Sequence, residues 1–272
     1  MSSPSSHFPF SIFNFQFSIY LSFLDIFKKT PSLVGNSLPL ATDMHSHILP
    51  GLDDGAPDLE ISLQLVRGLM ALGVTRSIAT PHIISDLYRN TPETINASLK
   101  LLQDGLKAAG LDFTVTAAAE YMMDSSFFEK LEQGERLLTL KDTYILTEFS
   151  FGYQPENPQQ MSFNIITNGY TPILAHPERY AYFHYNNYKA YHLLKDLGFV
   201  LQVNLLSVTG YYGAAVAKAA RYLLKNQLVG FVGTDLHHAR HLEALGDKRN
   251  LAMFGELLRE GWNEELRMLN DE

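Results

Sequence analysis

The stretch Thr42-Asp43-Met44-His45-Ser46-His47-Ile48-Leu49-Pro50-Gly51-Leu52-Asp53-Asp54-Gly55 decides how the chain is read. A short apolar run ends in a His-x-His pair, and a Pro/Gly/Asp-rich turn follows at once. In a strand, residues i and i+2 point to the same side, so His45 and His47 present two imidazoles to one point at the strand's end. One such pair is weak; the chain repeats the device.

Ser77-Ile78-Ala79-Thr80-Pro81-His82 ends in a histidine, and Phe113 to Glu120 ends in a carboxylate, as does Tyr144-Ile145-Leu146-Thr147-Glu148. Pro172-Ile173-Leu174-Ala175-His176 ends in a histidine with Pro177-Glu178-Arg179 behind it. Val229 to Gly233 runs into Thr234-Asp235-Leu236-His237, and Phe199 to Asn204 ends in an amide. Short runs rich in Val, Ile and Thr, bounded by Gly or Pro, suit buried parallel strands.

Helical spacing separates them. Leu59, Leu63, Val66 and Met70 recur on one face, with Asp58 and Glu60 at the start and Gly73 just past the end. Ile95, Leu99, Leu102 and Leu106 do the same between Thr91-Pro92-Glu93 and Gly110; Tyr188 to Leu197, closed by Gly198, and Ala214 to Leu224 are two more. Strand-helix alternation over seven runs predicts a parallel α/β barrel, whose reactive groups gather at the C-terminal ends of the strands.

The 272 residues fit one such barrel, 46% of them hydrophobic, and no linker interrupts residues 41–272. With 21 Lys plus Arg against 29 Asp plus Glu, the net charge of −8 makes the chain a poor candidate for non-specific nucleic-acid binding, which relies on a basic surface. The absence of cysteine removes disulfides, thiolate metal sites and a thiol nucleophile, and suits the cytoplasm. Residues 1–40 differ in character. Phe8 to Phe27 is aromatic-rich, without the basic start and small-residue cleavage site of a signal peptide and too polar for a good membrane span. Upstream of about Tyr20 the expectation is a start-site artefact or a disordered tail; Ser22 to Leu40 is a lead-in that packs on the barrel.

Nine ligand-type side chains stand at or beside the run ends: His45, His47, Asp54, His82, Glu120, Glu148, His176, Asp235 and His237. Each alone has an ordinary reading: a strand-end histidine is commonly a hydrogen-bonded core residue, and Asp53-Asp54-Gly55 is also a turn signal. Together, so many titratable groups are expensive to bury unless ions compensate them. The set holds nitrogen and oxygen donors without sulfur, which suits two or three Mn²⁺, Fe²⁺ or Zn²⁺ ions. Such ions make hydroxide available near neutral pH and clamp a phosphorus centre. Arg179 and Arg240 each follow a ligand-type histidine by three residues and reach the same mouth as phosphate partners, with Arg89 a third and weaker candidate. His7, His184, His192, His238 and His241 show no such placement and read as structural or solvent-facing.

The quoted stretch from Asp43 to Gly55, with Ala79-Thr80-Pro81-His82, Ala175-His176-Pro177-Glu178-Arg179 and Thr234-Asp235-Leu236-His237, resembles the polymerase-and-histidinol-phosphatase (PHP) metal-hydrolase family. Within it, the chain is similar to the bacterial tyrosine-protein phosphatases encoded with capsular and exopolysaccharide genes. The resemblance implies a PHP-type distorted (β/α)7 barrel over residues 41–272 and a trinuclear site, often manganese. It carries the family's ligands onto the same nine residues and its phosphate-binding arginine onto Arg179, with a looser match at Arg240. It also implies a phosphotyrosine substrate, the tail of a bacterial tyrosine kinase of polysaccharide export. The expected location is cytoplasmic, with membrane association only through that partner or weakly through residues 8–27. The alternative is a small-molecule phosphomonoesterase such as a histidinol-phosphate phosphatase. An amidohydrolase that uses a carbamylated lysine is disfavoured because no lysine ends a strand. A non-catalytic metal-bound scaffold is disfavoured by the intact ligand set.

Overall fold

The structure is a computed structural model and describes residues 37–261. Most of the expected extension 1–40 lies outside the described residues. Of its last part, Leu38 and Leu40 are buried in the core, and Leu38 N donates to Leu72 O.

Among the described residues, nine parallel strands carry the seven apolar runs. They are β1 (Thr42–Ser46), β2 (Arg76–Ala79), β3 (His82–Ile83), β4 (Thr114–Ala117), β5 (Glu120–Met122), β6 (Tyr144–Glu148), β7 (Thr171–Ala175), β8 (Val200–Asn204) and β9 (Val229–Gly233). They form two sheets, ordered β1-β2-β4 and β3-β5-β6-β7-β8-β9. Two runs read as single strands are thus each broken in two, at Thr80-Pro81 and at Ala118-Ala119. Proline has no N–H for a ladder. Pairing still continues across the breaks, through Ala118 N to Ala79 O and Glu120 N to Pro81 O, and this joins the two sheets.

Beyond β9 the chain returns to β1: Asp235 N donates to His45 O, His47 N donates to Leu236 O, and Ser46 bridges Leu236 in parallel. The seven strand lines therefore make a ring of hydrogen-bonded neighbours, as the barrel reading expects. One difference concerns placement. His82 and Glu120 open the short strands β3 and β5 rather than closing a strand, because the ladder breaks just before each of them.

Helices cover the ring, and their ends follow the local chemistry. Helix α1 (Leu59–Ala71) starts where the Asp58 side chain accepts from Ile61 N. Helix α2 (Pro92–Ala108) starts in a Thr91/Thr94 capping box with Pro92 in the first turn, and α3 (Ser125–Glu132) starts on Asp124. Helices α4 (Pro158–Thr167), α5 (Lys189–Asp196), α6 (Ala214–Lys225), α7 (Ala239–Leu245) and α8 (Lys248–Gly261) complete the set. Gly73, Gly110 and Gly198 take left-handed backbone just past α1, α2 and α5, where their sequence positions expect helix ends. The expected helices 188–197 and 214–224 are α5 and α6.

Candidate metal centre

The ring's mouth gathers all nine ligand-type residues. They fall into four overlapping groups whose donor atoms lie within 4.8 Å of one another: His47, Asp54, His82 and His237; His45, His47 and Glu120; His45, His176 and Asp235; His82, Glu120 and Glu148. Glu120 is the hub. Its Oε2 lies 3.2 Å from His45 Nε2, 3.3 Å from His47 Nε2 and 3.3 Å from His82 Nδ1, and its Oε1 lies 3.0 Å from His176 Nε2. Asp235 Oδ1 lies 3.4 Å from His45 Nε2 and 3.5 Å from His47 Nε2. At the outer edge, Asp54 Oδ1 lies 3.7 Å from His82 Nε2 and 3.5 Å from His237 Nε2.

Local backbone serves this convergence. His176 and Asp235, each just past a strand end, are non-glycine residues in left-handed backbone, with φ of 36° and 52°. Such conformations are costly and collect at functional sites. His176 leads directly into a short 3₁₀ turn, Pro177–Arg179, that delivers Arg179 to the mouth.

The electrostatics are those of a cation site. Burial disfavours the charged form of His45, but the charges of Glu120 and Asp235 outweigh it and raise its pKa. His82 is likewise opposed by burial, yet Glu120 lifts it to about 9. Burial works to raise Glu120 and Asp235, but the surrounding imidazoles, and for Asp235 also Arg179, hold both below the ordinary carboxylate range. Positive charge among these carboxylates is therefore demanded by the donor set. Two atoms sharpen the point. His82 Nδ1 and Glu148 Oε1 are buried, stand 3.0 Å apart as an ion pair and find no hydrogen-bond partner beyond that contact. Once the imidazole proton is displaced, two lone-pair donors at one spot fit a shared divalent ion.

A cavity of about 270 Å³ opens onto these groups. Arg179 lines it, with NH1 2.9 Å from Asp235 Oδ2 and the guanidinium lying 5.0 Å from the Phe151 ring centroid and 4.5 Å from that of Tyr212. Phe151 stacks on His176 and is 49% exposed. Arg240 is exposed on α7 and does not line this cavity; Arg89 donates to Ser85 O and borders a different one. His238 and His241, read from sequence as structural or solvent-facing, line the mouth, and His241 Nδ1 accepts from His237 N. His184 and His192 bond to Glu178 O and Tyr222 Oη, and His7 lies outside the described residues.

Sequence reading passed over the supporting residues. Asp53 Oδ2 lies 2.7 Å from His47 Nδ1, which turns that imidazole toward the centre, and accepts from the backbone N of His82, which anchors the start of β3. Its position beside Asp54 in one motif was the available signal. Asp43, which burial pushes up to about 6, accepts from Thr234 N and Oγ1 and so ties β1 to the segment that carries Asp235. Glu178, raised by burial, accepts from Asn204 N and Ser207 Oγ. Gln202 and Asn204 alternate along β8 as His45 and His47 do along β1, a pattern that marks a shared face.

Known proteins resemble this chain in sequence and in fold. A family model described as capsular polysaccharide synthesis, CpsB/CapC, matches residues 41–244. The tyrosine-protein phosphatase YwqE of Bacillus subtilis is 32% identical over 199 residues, covering 73% of this chain and 78% of the relative. The tyrosine-protein phosphatase CpsB of Streptococcus pneumoniae is 32% identical over 202 residues, covering 72% of this chain and 82% of the relative. One solved chain described under crystal structures of YwqE from Bacillus subtilis and CpsB from Streptococcus pneumoniae, unique metal-dependent tyrosine phosphatases, superposes with a TM-score of 0.73 at 29% identity, covering 85% of this chain and 91% of the other.

Proposed function

The chain belongs to the capsular polysaccharide synthesis CpsB/CapC family, and from that premise we propose that it is a metal-dependent phosphotyrosine protein phosphatase. The observation that carries this reading is the gathering of nine residues with nitrogen and oxygen donors at one mouth, with a cationic Arg179 beside them. His45, His47, Asp54, His82, Glu120, Glu148, His176, Asp235 and His237 are the proposed ligands of two or three divalent ions, Mn²⁺ first, with Fe²⁺ or Zn²⁺ as alternatives. Bound there, the ions supply a nucleophile from water near neutral pH and positive charge against phosphate oxygens.

The remaining work falls to the chain. Glu120 belongs to two donor groups, and its negative charge would offset the repulsion between cations held there. Arg179 spends one N–H on Asp235 and keeps further donors of its planar fork for phosphate oxygens. Burial opposes its charge, but Asp235 outweighs burial and raises its pKa, so it stays a cation throughout the working range. Arg240, which does not line the cavity, is left a lesser role at the approach. Phe151 offers the substrate's ring an aromatic face beside His176. A phenolate leaving group, with a conjugate acid near pKa 10, needs little protonic help, so no strong general acid is required.

The proposed substrate is a phosphotyrosine protein, the tail of a tyrosine kinase of capsular polysaccharide synthesis, met in the cytoplasm. Among the described residues no helix is long and apolar enough to cross a membrane. The test is a comparison of kcat/KM with Mn²⁺ on a phosphotyrosine peptide, a phosphoserine peptide and histidinol phosphate. Preference for phosphotyrosine supports the reading; preference for histidinol phosphate replaces it with the small-molecule alternative.

A further inference from the structure

Strand β8 places no imidazole or carboxylate at the centre. It contributes two amides instead, Gln202 and Asn204, both fully buried. His45 Nδ1 lies 2.9 Å from Gln202 Oε1, Gln202 Nε2 lies 3.0 Å from Asn204 Oδ1, and Asn204 Nδ2 lies 2.6 Å from Asp235 Oδ2. The chain of bonds thus starts on one ligand-type residue and ends on another.

Its direction is not free. An ionised carboxylate only accepts, so Asn204 must offer Asp235 its NH₂ group. Asn204 Oδ1 then faces Gln202 and must accept, which turns the Gln202 NH₂ toward it. Gln202 Oε1 is left facing His45 and accepts from Nδ1. Reversing any one amide sets two acceptors against each other in a buried site, at the cost of an unsatisfied group. Packing also holds the relay in place. A Cβ at Gly233 would come within 2.7 Å of His45 Cβ and 3.2 Å of Gln202 Nε2, so no space is spare on that side.

We propose that Gln202 and Asn204 are positioning residues, a one-way amide relay that sets the affinity of the ion held by His45, His176 and Asp235. The relay acts at both ends of that donor group. With Nδ1 committed to Gln202, His45 presents the lone pair of Nε2 to the centre. With Oδ2 saturated by Asn204 and Arg179 NH1, Asp235 keeps Oδ1 for the ion. The group His45, His47 and Glu120 shares His45 with the relay, whereas His82, Glu120 and Glu148 make no bond to Gln202 or Asn204. This inference rests on the metal reading of the site.

The test is Mn²⁺ binding by calorimetry on chelator-treated full-length protein, wild type against Asn204→Asp, which sets a carboxylate against Asp235 Oδ2. The expected result is that the equivalents drawing on His45 or Asp235 weaken by about 10- to 100-fold while at least one other binds as in wild type. Equal affinity for every equivalent overturns the relay, as does uniform weakening of all of them. If wild type binds no Mn²⁺, the metal reading itself fails and the relay falls with it. Should Asn204→Asp not fold, the double variant Gln202→Met, Asn204→Leu removes both partners in near-isosteric form and is read the same way. A measurement without mutation completes the test: nitrogen NMR of the Zn²⁺-loaded protein. A His45 proton on Nδ1 is expected, and a proton on Nε2 overturns the proposal.

Discussion

Gly55→Ala is the smallest change that strikes at the centre without touching a donor. A Cβ on Gly55 would sit 2.1 Å from His47 O, 2.5 Å from His47 Cβ and 2.9 Å from His47 C. These are mostly backbone atoms of a fully buried residue, so no side-chain rotation relieves the overlap. Ordinary contact begins near 3.4 Å, and the loop must therefore back away from β1 by more than an ångström. That loop is pinned by Ala56 N to His47 O at 3.0 Å and by Gly51 N to Ala56 O at 2.8 Å, and it carries Asp53 and Asp54. Backing away breaks the 2.7 Å contact of Asp53 with His47 Nδ1 and draws Asp54 from His82 and His237. Overpacking of this kind costs about 1–3 kcal/mol of stability. A misplacement of about 1 Å at a reacting centre costs on the order of 100-fold in rate. Urea unfolding, Mn²⁺ binding and phosphotyrosine-peptide turnover measure the three consequences. The control is Gly134→Ala, where φ is +69° but a Cβ meets nothing within 4 Å; it is expected to lose roughly 1 kcal/mol of stability and no rate. Wild-type turnover and metal binding in Gly55→Ala would refute the reasoning.

Three further outcomes are expected. Arg179→Ala lowers kcat/KM by about 10²–10³-fold, in the range of lost transition-state donors, while the unfolding midpoint of the metal-loaded protein moves little because Asp235 keeps its bond from Asn204. Parallel loss of rate and stability would mark a structural salt bridge instead. His176→Ala abolishes turnover and keeps the native circular dichroism spectrum; a metal-analysed variant with full activity would remove His176 from the centre. Mn²⁺ affinity rises with pH from about 6 to 9: His82, raised to about 9 in the metal-free protein, holds a proton at neutral pH that the ion must displace, and the competition fades as pH climbs through that value. A pH-independent binding constant would show that no such proton is displaced.

The sequence made the ring and its mouth readable because both rest on local regularities. Period-2 runs ending in His or a carboxylate mark strands and their ends, and Asp58, Thr91, Gly73, Gly110 and Gly198 mark helix ends through capping chemistry. What stayed hidden depends on distance between segments. The break at Ala118-Ala119 lies inside an apolar run where nothing local separates it from a continuous strand, whereas Pro81 is a local signal for the break at Thr80-Pro81. Arg179 and Arg240 stand at the same offset from a histidine, yet a 3₁₀ turn brings one into the cavity and α7 carries the other to the surface. Gln202 and Asn204 carry no charge, and the sequence marks Asn204 only as the amide that ends its run, although their spacing on β8 matches that of the histidines on β1. Asp53 and Asp54 differ only in which neighbour each one faces, and folding decides that.

The central claim is that ions held by the nine convergent residues drive phosphotyrosine hydrolysis. The most direct test is a titration of chelator-stripped protein with Mn²⁺, following bound metal and phosphotyrosine-peptide turnover in the same samples. No activity in the stripped protein, with the rate rising as two or three equivalents bind, is the predicted result. Full turnover without metal, or saturation with metal and no turnover, would contradict it.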